Sequence, residues 1–213
     1  MQLRRRRLQK SRLYALIDKA TLKEPGPALA RKLAVSGADI IQLRDKHSSR
    51  ASILKEALAI SKSLKDKKTI FIVNDYPDVA KLSGSDGLHI GQSDIALKKA
   101  RSILGKDRLI GVSCSNLEEA LEAEKSGADY IGLGPVFKTP TKAGCKPIGL
   151  KSIKALSQRI RIPVFAIGNI TRDNLGKITS CGMKRIALCR ALLKSRDMQK
   201  AAAYFSAKLK KTK

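Results

Sequence analysis

The chain has 213 residues, of which 43% are hydrophobic and 29% charged, so it carries enough apolar side chain for a substantial core and wholesale disorder is excluded. No apolar run approaches the roughly 20 residues that span a bilayer, and the arginines at 4–7 lead into polar sequence rather than an export signal. The 44 Lys and Arg against 18 Asp and Glu give a net charge of +26, which favours anionic ligands.

The basic residues are concentrated at both ends of the chain. We expect residues 1–12 to form a basic N-terminal arm, 13–207 a single catalytic domain and 208–213 a basic C-terminal tail. Aromatic residues make up only 4% of the chain and Trp is absent, so stacking platforms for single-stranded nucleic acid are scarce. We therefore favour a solvated basic surface over a dedicated nucleic-acid site.

Short β-rich runs alternate with longer segments of helical periodicity along the chain. Eight runs are apolar on both faces and are predicted as strands: 13–17, 39–43, 69–73, 87–90, 109–113, 130–133, 163–167 and 185–189. Between them, amphipathic spacing predicts helices at 28–36, 50–64, 97–104, 117–126, 150–159 and 172–180. The repeated order of β then α predicts an α/β fold with a parallel sheet.

A closed barrel fits this pattern better than an open doubly wound sheet. Eight units give about 27 residues each, close to the minimum for a (β/α)8 barrel of roughly 250 residues. No Gly-x-Gly-x-x-Gly turn follows an early strand, and the Gly-Lys at 105–106 is followed by Asp107, which lacks the hydroxyl of a phosphate loop. The prediction is a single (β/α)8 TIM barrel with a short basic N-terminal arm.

Polar residues gather where these strands end, which is where barrels of this kind carry their chemistry. Asp75 and Asp94 follow neighbouring strands and together suit Mg²⁺, which takes one or two protein carboxylates and fills its other sites with water and phosphate. Arg44, Lys46 and Lys142 would then meet phosphate oxygens. The alternative for each aspartate is an ordinary helix N-cap, because each precedes a helical run.

A second anion site is indicated at the ends of the last two strands. Gly168-Asn169 and Cys189-Arg190 fall where barrels commonly bind a phosphate through backbone amides, although Gly168 equally suits a tight turn. Thr139 and Thr141 have hydroxyls for the same phosphate, or form a simple Thr-Pro-Thr turn. Gln42 suits either a hydrogen bond at the barrel mouth or a substrate contact, and His89 is interpreted as a buried barrel histidine rather than a catalytic one.

The cysteines indicate a reducing compartment. Cys114, Cys145, Cys181 and Cys189 form no Cys-x-x-Cys pair, so we interpret them as reduced thiols in a cytoplasmic protein. Two histidines cannot complete a zinc site at recognisable spacing.

Five motifs in order resemble the thiamine-phosphate synthase family over roughly residues 13–193. They are Gln-Leu-Arg-Asp-Lys at 42–46, Val-Asn-Asp at 73–75, Gly-Leu-His-Ile-Gly-Gln-Ser-Asp at 87–94, Ile-Gly-Val-Ser at 110–113, and 129–142, which begins Asp-Tyr-Ile-Gly-Leu-Gly-Pro and ends Thr-Pro-Thr-Lys. Each motif alone is weak evidence, and the five together are strong.

The resemblance implies a reaction and a site. Hydroxymethylpyrimidine diphosphate and hydroxyethylthiazole phosphate, or its carboxylated form, would combine to thiamine phosphate; diphosphate departs first with help from Mg²⁺, and the thiazole nitrogen captures the pyrimidine cation. The resemblance implies that Asp75 and Asp94 bind Mg²⁺ and that Ser113 and Lys142 bind the diphosphate. The pyrimidine diphosphate would contact Gln42, Leu43, Arg44, Asp45, Lys46 and Asn74. The thiazole phosphate would lie among Thr139, Pro140, Thr141, Gly168, Cys189 and Arg190. Among these, the resemblance marks Arg44, Lys46, Ser113 and Lys142 as the catalytic group.

The chain departs from the family pattern at three positions. Asn169 replaces the second residue of a Gly-Gly pair, Arg190 replaces a Ser, and Lys138 stands where Pro is frequent. Asn adopts positive φ more readily than most residues, so we expect the turn at 168–169 to persist. The departures bear on the thiazole phosphate more than on the diphosphate chemistry.

Two other functions are compatible with parts of the sequence. A related thiazole tautomerase would use a histidine and no diphosphate, but Ser115-Asn116 stands where that histidine is expected. A polyanion-binding or RNA-binding protein, built on a barrel that has lost its enzymatic activity, is suggested only by the net charge. We therefore expect small phosphorylated substrates as ligands, no specific nucleic acid and no membrane partner, with a homo-oligomer compatible with the sequence.

Overall fold

A computed structural model describes residues 2–21, 24, 26–139 and 146–212; for Ser157 it describes the backbone alone. Within them, eight parallel strands, β1 to β8, close into a barrel in sequence order, which confirms the predicted (β/α)8 TIM barrel. The strands are Leu13–Asp18, Ile40–Arg44, Ile70–Asn74, Gly87–Ile90, Leu109–Cys114, Tyr130–Leu133, Val164–Ile167 and Ile186–Leu188. Every predicted strand is present, shifted by at most two residues at either end.

Helices follow the strands and surround the barrel. In chain order, α1 to α10 are Gln2–Lys10, Gly26–Val35, Arg50–Ser63, Pro77–Leu82, Leu97–Leu104, Leu117–Lys125, Gly149–Arg159, Leu175–Thr179, Arg190–Leu193 and Met198–Lys210. The sequence did not indicate α1, α4, α9 or α10. None of the described helices combines the length and the apolar character needed to cross a bilayer.

Alternation along each strand builds two apolar layers, because successive side chains point to opposite faces. On β1, Leu13, Ala15 and Ile17 pack outward against the helices. Tyr14 and Leu16 point into the barrel, where they join Phe165, Tyr130 and other inward-facing side chains. The barrel interior is thus filled by side chains, and its two ends present different surfaces.

The termini pack against the N-terminal end of the barrel. The expected arm is largely helical: Leu8 of α1 is 2% exposed and belongs to the interior cluster. Arg4 and Arg5 form ion pairs with Asp86 and Asp129. At the other terminus, the expected boundary between residues 207 and 208 falls inside α10, which continues to Lys210.

The described cysteines Cys114, Cys181 and Cys189 form no disulfide with one another. Cys145, the fourth thiol, lies outside the described residues.

Candidate active site

An inner pocket opens at the C-terminal end of the barrel, as expected for this fold. It lies over the interior aromatic rings of Tyr14 and Phe165 and is bounded by residues from most strand ends. Eight residues singled out from the sequence line it: Gln42, Arg44, Asn74, Ser113, Thr139, Gly168, Cys189 and Arg190. The structure therefore brings side chains that are up to 148 positions apart in the sequence to one cavity.

Two residues of the motif at 42–46 lie elsewhere. Leu43 packs in the layer between barrel and helices, because it alternates with the inward-facing Gln42. Asp45 is buried in the loop after β2, where its carboxylate accepts hydrogen bonds from the backbone N–H of His47 and Ser48. The largest single influence on Asp45 is burial, which acts upward, but these and other contacts together lower its pKa. Neither side chain borders the pocket.

Arg44 has an acidic partner that the sequence did not reveal. Its guanidinium donates to Asp18 at the end of β1, with 2.7 Å between Nη1 and Oδ2. Both residues line the inner pocket. The ion pair fixes the guanidinium at the rim and leaves its other N–H groups able to meet an anionic ligand.

An acidic cleft lies beside the inner pocket, lined among others by Lys46, Arg50, Asp75, Tyr76 and Asp94. The two recesses are neighbours along the chain, since Asn74 lines the first and Asp75 the second. Lys46 Nζ lies 3.2 Å from Asp75 Oδ2. The predicted phosphate-binding lysine and metal-binding carboxylates therefore share one cleft.

Asp75 and Asp94 lie against each other, as expected from neighbouring strand ends. Burial raises the pKa of Asp75, and the adjacent Asp94 carboxylate raises it further, whereas Lys46 opposes the shift. Asp75 also has φ of 66°, a backbone conformation that non-glycine residues rarely adopt. Asp94 is held by the backbone N–H of Gly91, 2.6 Å from Oδ2.

Neither aspartate is a helix N-cap, which was the alternative interpretation. The N-cap of α4 is Tyr76, and that of α5 is Ala96. Two carboxylates in contact, next to a single lysine, form a hard oxygen donor set that fits Mg²⁺ with water and phosphate completing its coordination. The described residues hold no group of three or more His, Cys, Asp or Glu that could bind a metal without such help.

The second predicted anion site surrounds Gly168 and Asn169. Both adopt positive φ, 114° and 48°, so the turn expected at this departure from the family pattern is formed. A Cβ on Gly168 would lie 2.6 Å from the Cα of Pro135, so only glycine fits here. Across the pocket, burial raises the pKa of the Cys189 thiol to about 11, and nearby Asp18 adds to the shift. Arg190 follows it at the start of α9 and is exposed.

Three predicted residues of the long loop after β6, Pro140, Thr141 and Lys142, lie outside the described residues. Sequence reasoning also missed two aromatic residues on the floor of the inner pocket, Tyr14 and Phe165. Their positions on strands at alternate, inward-facing places were the available signal. His89, interpreted as a buried barrel histidine, is 8% exposed, but it also borders the pocket.

Comparison with known proteins decides the family. The sequence model described as "Thiamine monophosphate synthase" matches residues 13–192. The chain belongs to this family. A thiamine-phosphate synthase of Methanocella arvoryzae is 43% identical over 192 residues, covering 89% of this chain and 91% of the relative. The solved thiamine phosphate pyrophosphorylase of Pyrococcus furiosus is 31% identical, with a TM-score of 0.84 over 96% of this chain and 98% of that one.

Longer relatives were also found. A thiamine-phosphate synthase of Prochlorococcus marinus subsp. pastoris is 40% identical over 190 residues, which cover 89% of this chain. The chain spans about half the length of that relative, 53%.

Proposed function

We propose that the two recesses act together to join hydroxymethylpyrimidine diphosphate to hydroxyethylthiazole phosphate, or its carboxylated form, with release of diphosphate. Membership of the family makes the chain a thiamine-phosphate synthase, a transferase of thiamine biosynthesis. The observation that carries the assignment to this site is the contact of Asp75 with Asp94 beside Lys46, next to a pocket for an organic ring. Such a pair needs a cation, and a diphosphate supplies that cation's other ligands.

The diphosphate is proposed to bind across the border between the acidic cleft and the inner pocket. Lys46 and Arg44 offer positive charge on one side, and Ser113 offers a hydroxyl on the other. Lys142, from the loop after β6, would complete the set. Bound to Asp75 and Asp94, Mg²⁺ would neutralise part of the charge that grows on the leaving diphosphate. The cationic side chains do the same work from fixed positions, which lowers the barrier without a protein nucleophile.

The pyrimidine ring is proposed to occupy the inner pocket near Gln42 and Asn74, which are 2% and 7% exposed. The rings of Tyr14 and Phe165 line the floor of this pocket. Two bound substrates would displace water from it, so a pyrimidine cation formed there would meet the thiazole nitrogen before a water molecule. Catalysis then consists mainly of positioning two substrates and stabilising the departing charge. Leu43 and Asp45 would support this pocket from behind rather than touch the substrate.

The thiazole phosphate is proposed to lie among Gly168, Cys189 and Arg190, with Thr139, Pro140 and Thr141 as further proposed contacts. The positive φ of Gly168 and Asn169 turns the backbone sharply at this end of the pocket. Arg190 would supply a charged contact where the family usually has a hydroxyl. The thiol of Cys189 stays protonated at neutral pH because its pKa is raised, so it serves as a neutral wall of the pocket.

The proposed cofactor is Mg²⁺, the proposed partners are the small phosphorylated substrates alone, and the proposed location is the cytoplasm.

The decisive experiment is a turnover assay of the purified protein. Both phosphorylated precursors are added with Mg²⁺ or with excess EDTA, and thiamine phosphate and diphosphate are quantified. Equal amounts of both products with Mg²⁺, and neither with EDTA, are the expected result. Activity that is unchanged in EDTA would remove the metal assignment, and the absence of thiamine phosphate under both conditions would remove the reaction.

A further inference from the structure

Beneath the inner pocket, five polar side chains form a continuous hydrogen-bonded chain through the barrel interior. We call this chain the polar relay; its members, in order, are Gln42, Tyr14, Tyr130, His89 and Ser113. The distances are 2.7 Å from Gln42 Nε2 to the Tyr14 hydroxyl and 3.0 Å between the two tyrosine hydroxyls. The Tyr130 hydroxyl lies 3.2 Å from His89 Nδ1, and His89 Nε2 lies 2.9 Å from Ser113 Oγ.

The relay is buried, so its hydrogen bonds are made within the protein. Tyr130 is fully buried, Tyr14 and Gln42 are each 2% exposed, and His89 is 8% exposed. The barrel makes room for the rings with glycine: a Cβ on Gly111 would overlap the Tyr130 ring. Leaving one of these polar groups unsatisfied would cost about 1–3 kcal/mol, which favours an arrangement in which each donor meets an acceptor.

The first member sets the direction of the relay. The amide nitrogen of Gln42 can only donate, so the Tyr14 oxygen accepts from it. In the direction that we assign to the relay, Tyr14 donates its single proton to the Tyr130 oxygen, and Tyr130 donates to His89 Nδ1. Burial raises the pKa of Tyr14 and of Tyr130 well above the ordinary value for tyrosine. Both hydroxyls therefore stay protonated and can act as hydrogen-bond donors.

The consequence falls on Ser113. If Nδ1 of His89 accepts in this way, a neutral imidazole carries its ring proton on Nε2 and donates it to Ser113 Oγ. The Ser113 hydroxyl is then an acceptor towards His89, and its own proton points to the inner pocket, which Ser113 lines. A hydrogen bond from that proton to a diphosphate oxygen would be charge-assisted and therefore strong.

We propose that Tyr14, Tyr130 and His89 are positioning residues that orient the Ser113 hydroxyl as a donor towards the leaving diphosphate. The proposal rests on the proposed function for the identity of the anion, but the direction of the relay is independent of it. It also links the two ends of one substrate site, because Gln42 and Ser113 border the same pocket on opposite sides of the relay.

The direction is tested on the unmodified protein by nitrogen NMR of the histidine rings. The chain contains only His47 and His89, so a His47→Asn variant assigns both signals. The proposal expects the His89 ring to carry its proton on Nε2, and Tyr130→Phe to shift it towards a mixture of tautomers. A proton fixed on Nδ1 would mean that the relay runs in the opposite sense and would overturn the proposal, whatever the substrate.

The effect on turnover is tested by a double-mutant cycle in single-turnover kinetics. Tyr130→Phe, which removes one oxygen and keeps the ring, is expected to slow product formation about tenfold. In a Ser113→Ala background, the same change is expected to have less than a twofold effect, because the relay acts only through Ser113. A merely structural role for Tyr130 would cost the same factor in both backgrounds, and that outcome contradicts the proposal.

Two further variants complete the cycle. Tyr204→Phe is the matched control, because Tyr204 lies on α10 beside Phe205, far from the relay. Product formation by this variant is expected to stay within twofold of the parent rate. Tyr14→Phe, one step further from Ser113, is expected to slow the parent about threefold and to have no effect after Ser113→Ala. It replaces Tyr130→Phe in the cycle if that variant does not fold. A parent that forms no thiamine phosphate removes the proposed function, and the tautomer of His89 then decides the relay alone.

Discussion

At the N-terminal end of the barrel, Asp39, Asp86 and Asp129 accept hydrogen bonds from strand N–H groups, whereas at the C-terminal end Asp75 and Asp94 face each other. Asp129 is typical of the first set, with Oδ2 2.9 Å from the N–H of Ile110 and 2.6 Å from Arg101. Its other oxygen pairs with Arg5 of α1. Both oxygens of Asp129 therefore have local donors.

Among the residues that the structure describes, the carboxylates of the acidic cleft have fewer donors. Lys46 contacts Asp75, and the N–H of Gly91 contacts Asp94, but the two negative groups also repel each other. Asp75 is held in this position by a backbone with positive φ. The same residue type therefore stabilises the fold at one end and stores unfavourable electrostatics at the other, which indicates a ligand at the second end.

The largest effect is expected for Asp75→Ala and Asp94→Ala. Each variant removes one of the two proposed metal ligands, so turnover should fall at least about 100-fold, which corresponds to about 2.7 kcal/mol in activation free energy. Each also removes a like-charge contact, which offsets the lost contact with Lys46 or Gly91, so urea unfolding should show a change of less than about 1 kcal/mol. Asp66→Ala is the control, because Asp66 is an exposed carboxylate beyond the C-terminal end of α3, whereas Arg50 at the other end of that helix lines the cleft. Full activity in both cleft variants would contradict the assignment of the site.

The opposite end should respond in the opposite way. Asp129→Ala leaves the N–H of Ile110 without its acceptor and two arginines without their partner, so it should lower the free energy of unfolding by about 2 kcal/mol. Turnover per folded molecule should stay within twofold. Urea denaturation and the synthase assay on the same preparation measure both quantities. Loss of activity without loss of stability would break the contrast between the two ends.

The turn at the second anion site offers a smaller effect. Gly168→Ala forces a Cβ against Pro135, so the pocket wall must shift. We expect the KM for the thiazole phosphate to rise about tenfold, about 1.4 kcal/mol, with the KM for the pyrimidine diphosphate nearly unchanged. Gly105→Ala, which also has positive φ but open space around a Cβ and lies far from the pocket, is the control for backbone strain. Equal changes in both KM values would contradict a site confined to the thiazole phosphate.

The sequence predicted the barrel well because each strand is apolar on both faces and each unit repeats. It also predicted the meeting of Asp75 and Asp94, since neighbouring parallel strands end at the same edge. It did not reveal α1, because its arginines hide the single buried Leu8, nor the four-residue α9, which is too short for periodicity.

The polar relay was missed for a different reason. Tyr14, Tyr130 and His89 lie on three separate strands, and their contact depends on the inward alternation of each strand and on closure of the barrel. The same alternation explains Leu43 and Asp45, which neighbour pocket residues in sequence and point away from the pocket. A motif identifies a segment, whereas the register decides which of its side chains reach the ligand.

The smallest effect is expected at Asn169, the departure from the family pattern beside Gly168. Its φ of 48° is accessible to Asn and to Gly, so Asn169→Gly should change the KM for the thiazole phosphate less than twofold. Asn169→Val, whose branched side chain disfavours positive φ, should raise that KM severalfold. Steady-state assays with varied thiazole phosphate measure both. Both variants keep the backbone carbonyl of residue 169, which accepts a hydrogen bond from Asn174. A much lower KM in Asn169→Gly would therefore mean that the asparagine side chain obstructs the site, and would contradict its role as a substitute for glycine in the turn.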